Sequence, residues 1–188
     1  SNMVSLIEAS RRGEIPDAEI AIVISNLPDA PGLKLAADLG IETLVCDSRS
    51  RKREEHDRAV ALELKMRNVD LVCLAGYMRI LTPFFLREFP SSVINIHPSL
   101  LPSFPGLHVH EQALEYGVRF SGCTVHFVDE ELDHGAIIQQ AVVPVLDSDT
   151  PETLAARVLV EEHRIYPLAL QLVASDSLTF DGRRVLQK

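Results

Sequence analysis

The stretch Val93-Ile94-Asn95-Ile96-His97-Pro98-Ser99-Leu100-Leu101-Pro102-Ser103-Phe104-Pro105-Gly106 decides how this chain is read. Val93, Ile94 and Ile96 are β-branched and apolar, the make-up of a buried strand. Successive strand side chains alternate between faces, so Asn95 and His97 point the same way. Pro98, Pro102 and Pro105 then fix φ and remove N–H donors, which forbids a helix and imposes a stiff, extended loop. Gly106 ends the loop, and a helical pattern begins near His108. Ligands of α/β sheets bind beyond the carboxyl ends of the strands. A polar pair at such an end, followed by a rigid loop, reads as a reaction centre. The competing reading is a histidine that caps a strand and is satisfied by backbone.

Outward from this stretch, strands alternate with helices. Upstream, an opening helix from Met3 stops at Gly13, and Ile20-Ala21-Ile22-Val23-Ile24 is a strand buried on both faces. A helix over Leu33–Leu39, a strand over Thr43–Cys46 and an amphipathic helix over Glu54–Asn68 follow, the last expected to turn Ala59, Leu62 and Met66 inward. Asp70–Ala75 is a further strand, and Pro83–Glu88 a short helix. Downstream lie a helix over His110–Tyr116, an alternating strand over Gly122–Val128, an acidic loop ending Asp133-His134-Gly135, and a strand over Ala136–Val145 antiparallel to its neighbour. A helix from Pro151 to about Ala174, interrupted at Pro167, and a hairpin across Asp181-Gly182 complete the chain. The spacing predicts βαβ units: an α/β fold with a mostly parallel, Rossmann-like sheet, helices on both faces and the Val93–Ile96 strand in its interior.

At 188 residues and 46% hydrophobic, the chain suits one globular domain with a sizeable core. A formal net charge of −9 argues against a nucleic-acid surface. No apolar run is long enough to span a bilayer and no signal peptide is visible, so no membrane partner is expected. Cys46, Cys73 and Cys123 sit singly in apolar runs, which reads as buried thiols in a reducing cytoplasm. His97, His108, His110, His126 and His134 lack the matched acids or thiols of a closed ligand set, so no metal is expected. His126, on the alternating strand, reads as a packed, hydrogen-bonded side chain.

Asn95-Ile96-His97-Pro98-Ser99-Leu100-Leu101-Pro102 resembles the signature of folate-dependent formyltransferases. Ser103-Phe104-Pro105-Gly106-Leu107-His108 and Glu131-Leu132-Asp133 are similar to the members of that family that formylate glycinamide ribonucleotide. The resemblance runs from Ser1 to about Ser175. It implies the formyltransferase fold, with a nucleotide-binding half over about 1–92 and a folate and catalytic half over about 93–188. It also implies transfer of a formyl group from 10-formyltetrahydrofolate, a co-substrate, to the amine of glycinamide ribonucleotide in purine synthesis.

Formyl transfer needs no protein nucleophile, because the incoming amine attacks the formyl carbon itself. The protein must orient two reactants, stabilise an oxyanion and move a proton. An imidazolium and an amide NH2 both donate to an oxyanion, and a carboxylate favours the charged imidazole and can hold a relay water. Asn95, His97 and Asp133 supply this set, and the resemblance implies those same roles. It further implies a folate site between Met78-Arg79-Ile80-Leu81 and a loop beginning Val128-Asp129, with Arg79 and Arg53 for the glutamate tail. Ser1, Asn2, Pro98 and Glu162 match the binding site for the amine substrate, Glu162 at the ribose hydroxyls. A solvated helix acid is the competing reading of Glu162.

The family opens with a strand and a Gly-rich phosphate loop ending Gly-Ser-Asn, and Ser1-Asn2 matches only its last two residues. The natural protein is therefore expected to carry an upstream segment, Ser1-Asn2 being otherwise a cloning remnant ahead of Met3. Other formyl-folate enzymes, including hydrolases, and a non-catalytic ligand-binding relative are the competing functions. The oligomeric state stays open, a homodimer included.

Overall fold

The computed structural model describes all residues from Ser1 to Lys188. Helix α1 (Asn2–Arg11) precedes strand β1 (Ile22–Ser25), helix α2 (Pro31–Asp38) and strand β2 (Glu42–Val45). Helix α3 (Arg53–Met66), strand β3 (Val72–Leu74), helix α4 (Pro83–Glu88) and strand β4 (Val93–His97) come next. Helix α5 (Val109–Tyr116), strands β5 (Phe120–Phe127) and β6 (Ile137–Pro144), helix α6 (Pro151–Ala174) and the hairpin β7 (Leu178–Asp181) with β8 (Arg184–Gln187) follow.

Strand–helix alternation yields parallel pairing in the first half: β1 with β2, and β3 with β4. The long strands β5 and β6 then join in antiparallel fashion, giving the order β3-β4-β5-β6. Strand β4 is interior, with a partner on each side, as its apolar residues require.

Alternation along β4 divides the protein into two cores. Ile94 and Ile96 face a cluster with Cys123, Val125 and Phe127 of β5 and Leu154, Val158, Ile165 and Ala169 of α6. Val93 faces the other way, against Ala61 and Leu64 of α3 and Phe85 and Phe89 around α4. Asn95 and His97 lie on the Val93 side, beyond the end of that second core.

Two elements differ from the sequence reading. Helix α3 is turned: Leu62 and Met66 are 60% and 68% exposed, whereas Ala61 and Leu64 face inward together with His56 and Asp57. A buried polar pair sets the facing of this helix, and a count of apolar positions is blind to it. Helix α6 runs through Pro167 without a break. Proline removes only the bond to the carbonyl of His163 there, and tight packing of the surrounding turns (Ile165, Tyr166 and Ala169 are fully buried) holds the helix together.

Tyr166 ties α6 to the parallel pair. Its hydroxyl donates to the carbonyl of Leu74 at 2.8 Å and lies 3.2 Å from that of Ile94, with the whole side chain buried. Burial holds its ionisation well above the ordinary tyrosine range. Replacing a buried hydrogen-bonding group leaves its partners unsatisfied. Tyr166→Phe is expected to lower unfolding free energy by about 1–2 kcal/mol, with little change in the urea m-value. An unchanged urea midpoint would show that the hydroxyl does not secure β3 to β4.

Candidate active site

The register of β4 against β5 sets Asn95 opposite His126 and His97 opposite Thr124. Since paired strand residues share a face, four polar side chains form one block on the face away from the α6 core. Each member is held. Thr124 Oγ1 donates to the Ser99 carbonyl at 2.7 Å and accepts from the Leu101 N–H at 3.0 Å and from Gln140 Nε2 at 2.9 Å. Gln140 also donates to the Leu101 carbonyl at 3.0 Å. These bonds stitch the proline loop to β5 and β6, and the loop carries a cis peptide bond at Leu101-Pro102.

The loop then turns back over His97. His97 Nε2 donates to the Phe104 carbonyl at 2.9 Å. Ser99 Oγ donates to the Ser103 carbonyl at 2.6 Å and lies 3.1 Å from that of Phe104. His97 Nδ1 faces Asp133 Oδ2 at 3.4 Å, and the two side chains are 6% and 9% exposed. Each ring nitrogen of His97 thus has an acceptor before it, the Phe104 carbonyl at one and the Asp133 carboxylate at the other.

Asp133 adopts a left-handed backbone, φ 49°, which aspartate tolerates better than most residues. Its Oδ2 also accepts from the Gly106 N–H at 2.8 Å, so the acidic loop and the end of the proline loop lock together. Gly135 follows on a path that only glycine can take: a Cβ there would lie 1.7 Å from the Phe127 carbonyl oxygen.

Asn95 and His126 form the other half of the block. His126 Nδ1 donates to the Phe127 carbonyl at 2.8 Å, which leaves Nε2 as an acceptor for Asn95 Nδ2 at 3.3 Å. That arrangement requires a neutral ring. Burial pushes the His126 ionisation below the ordinary histidine range, in agreement. The amide of Asn95 is thereby oriented with one N–H spent on His126 and the other available. Thr124, His126, Gln140 and Ser99 were not singled out as site residues from the sequence. The only signal was a period-two alternation placing Gly122, Thr124 and His126 on one face of an otherwise apolar strand.

The remaining candidates divide into groups. Glu162 is buried in α6 and accepts from Asn2 Nδ2, the first residue of α1, at 2.6 Å. Burial raises its carboxyl above the ordinary range, while the Asn2 bond and the charges of His163 and His97 pull it back. Burial lowers the His110 ionisation, and its Nδ1 and the Nε2 of His163 are buried without partners. Ser1 is exposed at the start of α1, and Pro98 is half-buried directly after His97. Leu81 is buried, and Val128 packs beside it on the second core. Met78 and Ile80 are 79% and 48% exposed, so that stretch presents side chains to solvent. Arg79 is half-buried with Nε unpartnered, and Arg53 is exposed at the start of α3. Asp129 holds His134 Nδ1 at 2.8 Å. No group of three or more His, Cys, Asp or Glu side chains is placed to hold a metal ion, and no helix is long and apolar enough to cross a membrane.

A family model described as formyl transferase matches residues 1–170. A phosphoribosylglycinamide formyltransferase of Escherichia coli (strain K12) is 44% identical over 193 residues, covering 98% of this chain and 91% of that protein. The trifunctional purine biosynthetic protein adenosine-3 of Drosophila pseudoobscura pseudoobscura is 50% identical over 180 residues. The chain spans only 13% of the length of that relative. The crystal structure of glycinamide ribonucleotide transformylase 1 from Symbiobacterium toebii superimposes with a TM-score of 0.96 at 49% identity, covering 99% of this chain and 88% of that one.

A neutral, buried His126 makes stability depend on pH. Its folded-state ionisation lies below the unfolded value of 6.5, so below about pH 6.5 the unfolded chain binds a proton that the folded chain refuses. Stability is therefore complete above that pH and falls as pH drops toward the folded value. Glu162 acts in the opposite sense, being raised above 4.5, so comparison with a variant is needed to isolate the histidine. Urea midpoints between pH 7.5 and 5.5 are expected to fall more steeply for the natural protein than for His126→Gln. Parallel slopes would show that this ring is not held neutral.

Proposed function

The chain belongs to the formyl transferase family, and on that premise we propose that it transfers a formyl group from 10-formyltetrahydrofolate to the amine of glycinamide ribonucleotide, a step of purine synthesis. The observation that carries this reading is the convergence of Asn95, His97 and Asp133 on one rigid face at the end of β4.

The substrate amine attacks the formyl carbon, forming a C–N bond while the carbonyl electron pair moves to oxygen. The oxyanion is met by the free N–H of Asn95 and by His97. Nε2 of His97 is committed to the Phe104 carbonyl, so the donor that can turn to the oxyanion is Nδ1–H, whose 3.4 Å contact with Asp133 is the looser of the two. Collapse of the tetrahedral species then breaks the bond to the folate nitrogen, which takes the proton that the amine loses. Asp133, anchored by the Gly106 N–H, favours the charged imidazole and is placed to pass that proton, directly or through a water.

The binding sites follow from what is left unsatisfied. The backbone N–H and C=O groups of Gly76–Leu81 make no hydrogen bond within the protein. They lie beyond the carboxyl end of β3, where they suit a flat heterocycle with donors and acceptors on its edge. In this reading Met78, Arg79, Ile80, Leu81, Val128 and Asp129 wall the pteridine, and Arg79 with Arg53 meets the glutamate tail. Glu162, Asn2, Ser1 and Pro98 serve the ribonucleotide. Residues 1–92 then form the nucleotide half and 93–188 the catalytic half of one domain.

Steady-state kinetics of the full natural chain with both substrates test the reaction and the roles. Asp133→Asn keeps shape and removes charge, so kcat is expected to fall about a hundredfold or more with modest changes in either KM. His97→Asn should do comparable damage, and the double variant far less than the product of the two. Turnover near the natural level for Asp133→Asn would rule out this mechanism. Release of formate without any added amine would reassign the site to hydrolysis.

A further inference from the structure

Asp57 is a buried carboxylate that the mechanism above does not use. It lies in the second turn of α3, 1% exposed, beside an equally buried His56. Placing an ionised carboxylate in a protein interior is costly unless it is hydrogen-bonded or paired, so its partners state what it is for. One oxygen, Oδ2, accepts from the backbone N–H of Thr82 at 2.8 Å. The other, Oδ1, faces His56 Nδ1 at 3.5 Å, while His56 Nε2 donates to the Cys46 carbonyl at the end of β2, 2.9 Å away. The pair therefore bridges the end of β2 to Thr82.

Thr82 is the residue at which the segment Gly76–Leu81 rejoins the scaffold. It is also the N-cap of α4, its hydroxyl accepting from the Phe85 N–H. Gly76–Leu81 has no internal backbone hydrogen bond to hold its shape. It leaves β3 through Gly76 with φ 68°, exposes Met78 and Ile80, and is anchored by side chains alone, Leu81 within the second core and Tyr77 packed against it. A six-residue segment so lightly held would sample many conformations, and each would cost binding energy for a rigid ligand.

We propose that Asp57 is a positioning residue for the folate co-substrate: by gripping the Thr82 amide, its carboxylate fixes Gly76–Leu81 in the shape that presents its unpaired backbone groups to the pteridine. This rests on the reading of Gly76–Leu81 as the folate wall. Asp57 touches neither substrate in this arrangement. It acts on ground-state and transition-state binding of folate alike, and leaves the Asn95, His97 and Asp133 geometry alone. The signature is a rise in KM for the formyl folate without a matching fall in kcat.

The test compares Asp57→Ala, Asp57→Asn and Ile80→Glu in the full natural chain, varying each substrate at saturation of the other. Loss of a hydrogen bond to a charged group is worth about tenfold or more. Asp57→Ala is therefore expected to raise the formyl-folate KM about tenfold, with kcat and the ribonucleotide KM within about threefold of the natural values. Asp57→Asn keeps an acceptor and should fall between the two. Amide hydrogen exchange over Gly76–Phe85 should accelerate in both variants, and in Asp57→Asn alone if the alanine variant fails to fold. If Ile80→Glu raises the folate KM but the Asp57 variants do not, the positioning role is overturned while the folate site stands. If Ile80→Glu also leaves that KM unchanged, the folate site itself is misplaced and the proposal falls with it. Equal losses for both substrates, or unaltered exchange over Gly76–Phe85 in Asp57→Asn, would likewise reject it.

Discussion

The pairing of β4 with β5 is the constraint on which the rest of the structure depends. Asn95 against His126 and His97 against Thr124 place four polar side chains on one face of two strands whose other face, where they pair, is apolar: Ile94 against Phe127 and Ile96 against Val125. A register slip of one residue would turn this block into the α6 core and bring Ile94, Ile96 and Val125 out to the site. The hydrophobic contacts of one face therefore hold the chemistry of the other in position. Burying such a block is tolerable only because nearly every donor and acceptor in it is used, many of them on the proline loop.

The block holds two buried histidines on either side of one carboxylate, Asp133. His126 has a carbonyl before one nitrogen and an amide donor before the other, and burial disfavours its charge. His97 has a carbonyl before one nitrogen and a carboxylate before the other. Asp133 Oδ2 lies 3.4 Å from His97 Nδ1 and its Oδ1 lies 3.9 Å from His126 Nε2, so one side chain links both rings. For His126, burial is the main cause that disfavours its charge, against the pull of the nearby Asp133 carboxylate.

Rigid and ligand-facing parts are divided along the same line. The proline loop is covered with internal bonds and holds His97 in place. Gly76–Leu81 has none, and the first backbone bond after it runs from the Thr82 N–H to the buried Asp57 carboxylate on α3. Unpaired backbone in a folded protein is unfavourable unless water or a ligand completes it, and this exposed segment is open to both.

By itself the sequence determined a good deal. Strand–helix alternation, the interior place of Val93–Ile96, the shared face of Asn95 and His97 and the rigidity of the proline loop all follow from periodicity and backbone sterics, which are local. Asp133 was legible as a candidate only by its motif, because 36 positions along the chain separate it from His97 and nothing local states that they meet. Tertiary structure alone decided that meeting, through the left-handed turn at Asp133 and the close approach of Gly135 to β5. It also decided the facing of α3: His56 and Asp57 look like solvated helix residues until the partners that satisfy them, the Cys46 carbonyl and the Thr82 amide, arrive from distant elements. Thr124 and Gln140 escaped for the same reason, and His126 was legible only as a packed, hydrogen-bonded side chain, which it is. A polar side chain in an apolar strand acquires meaning only from what stands opposite, and cross-strand register is set by the whole sheet rather than by any one strand.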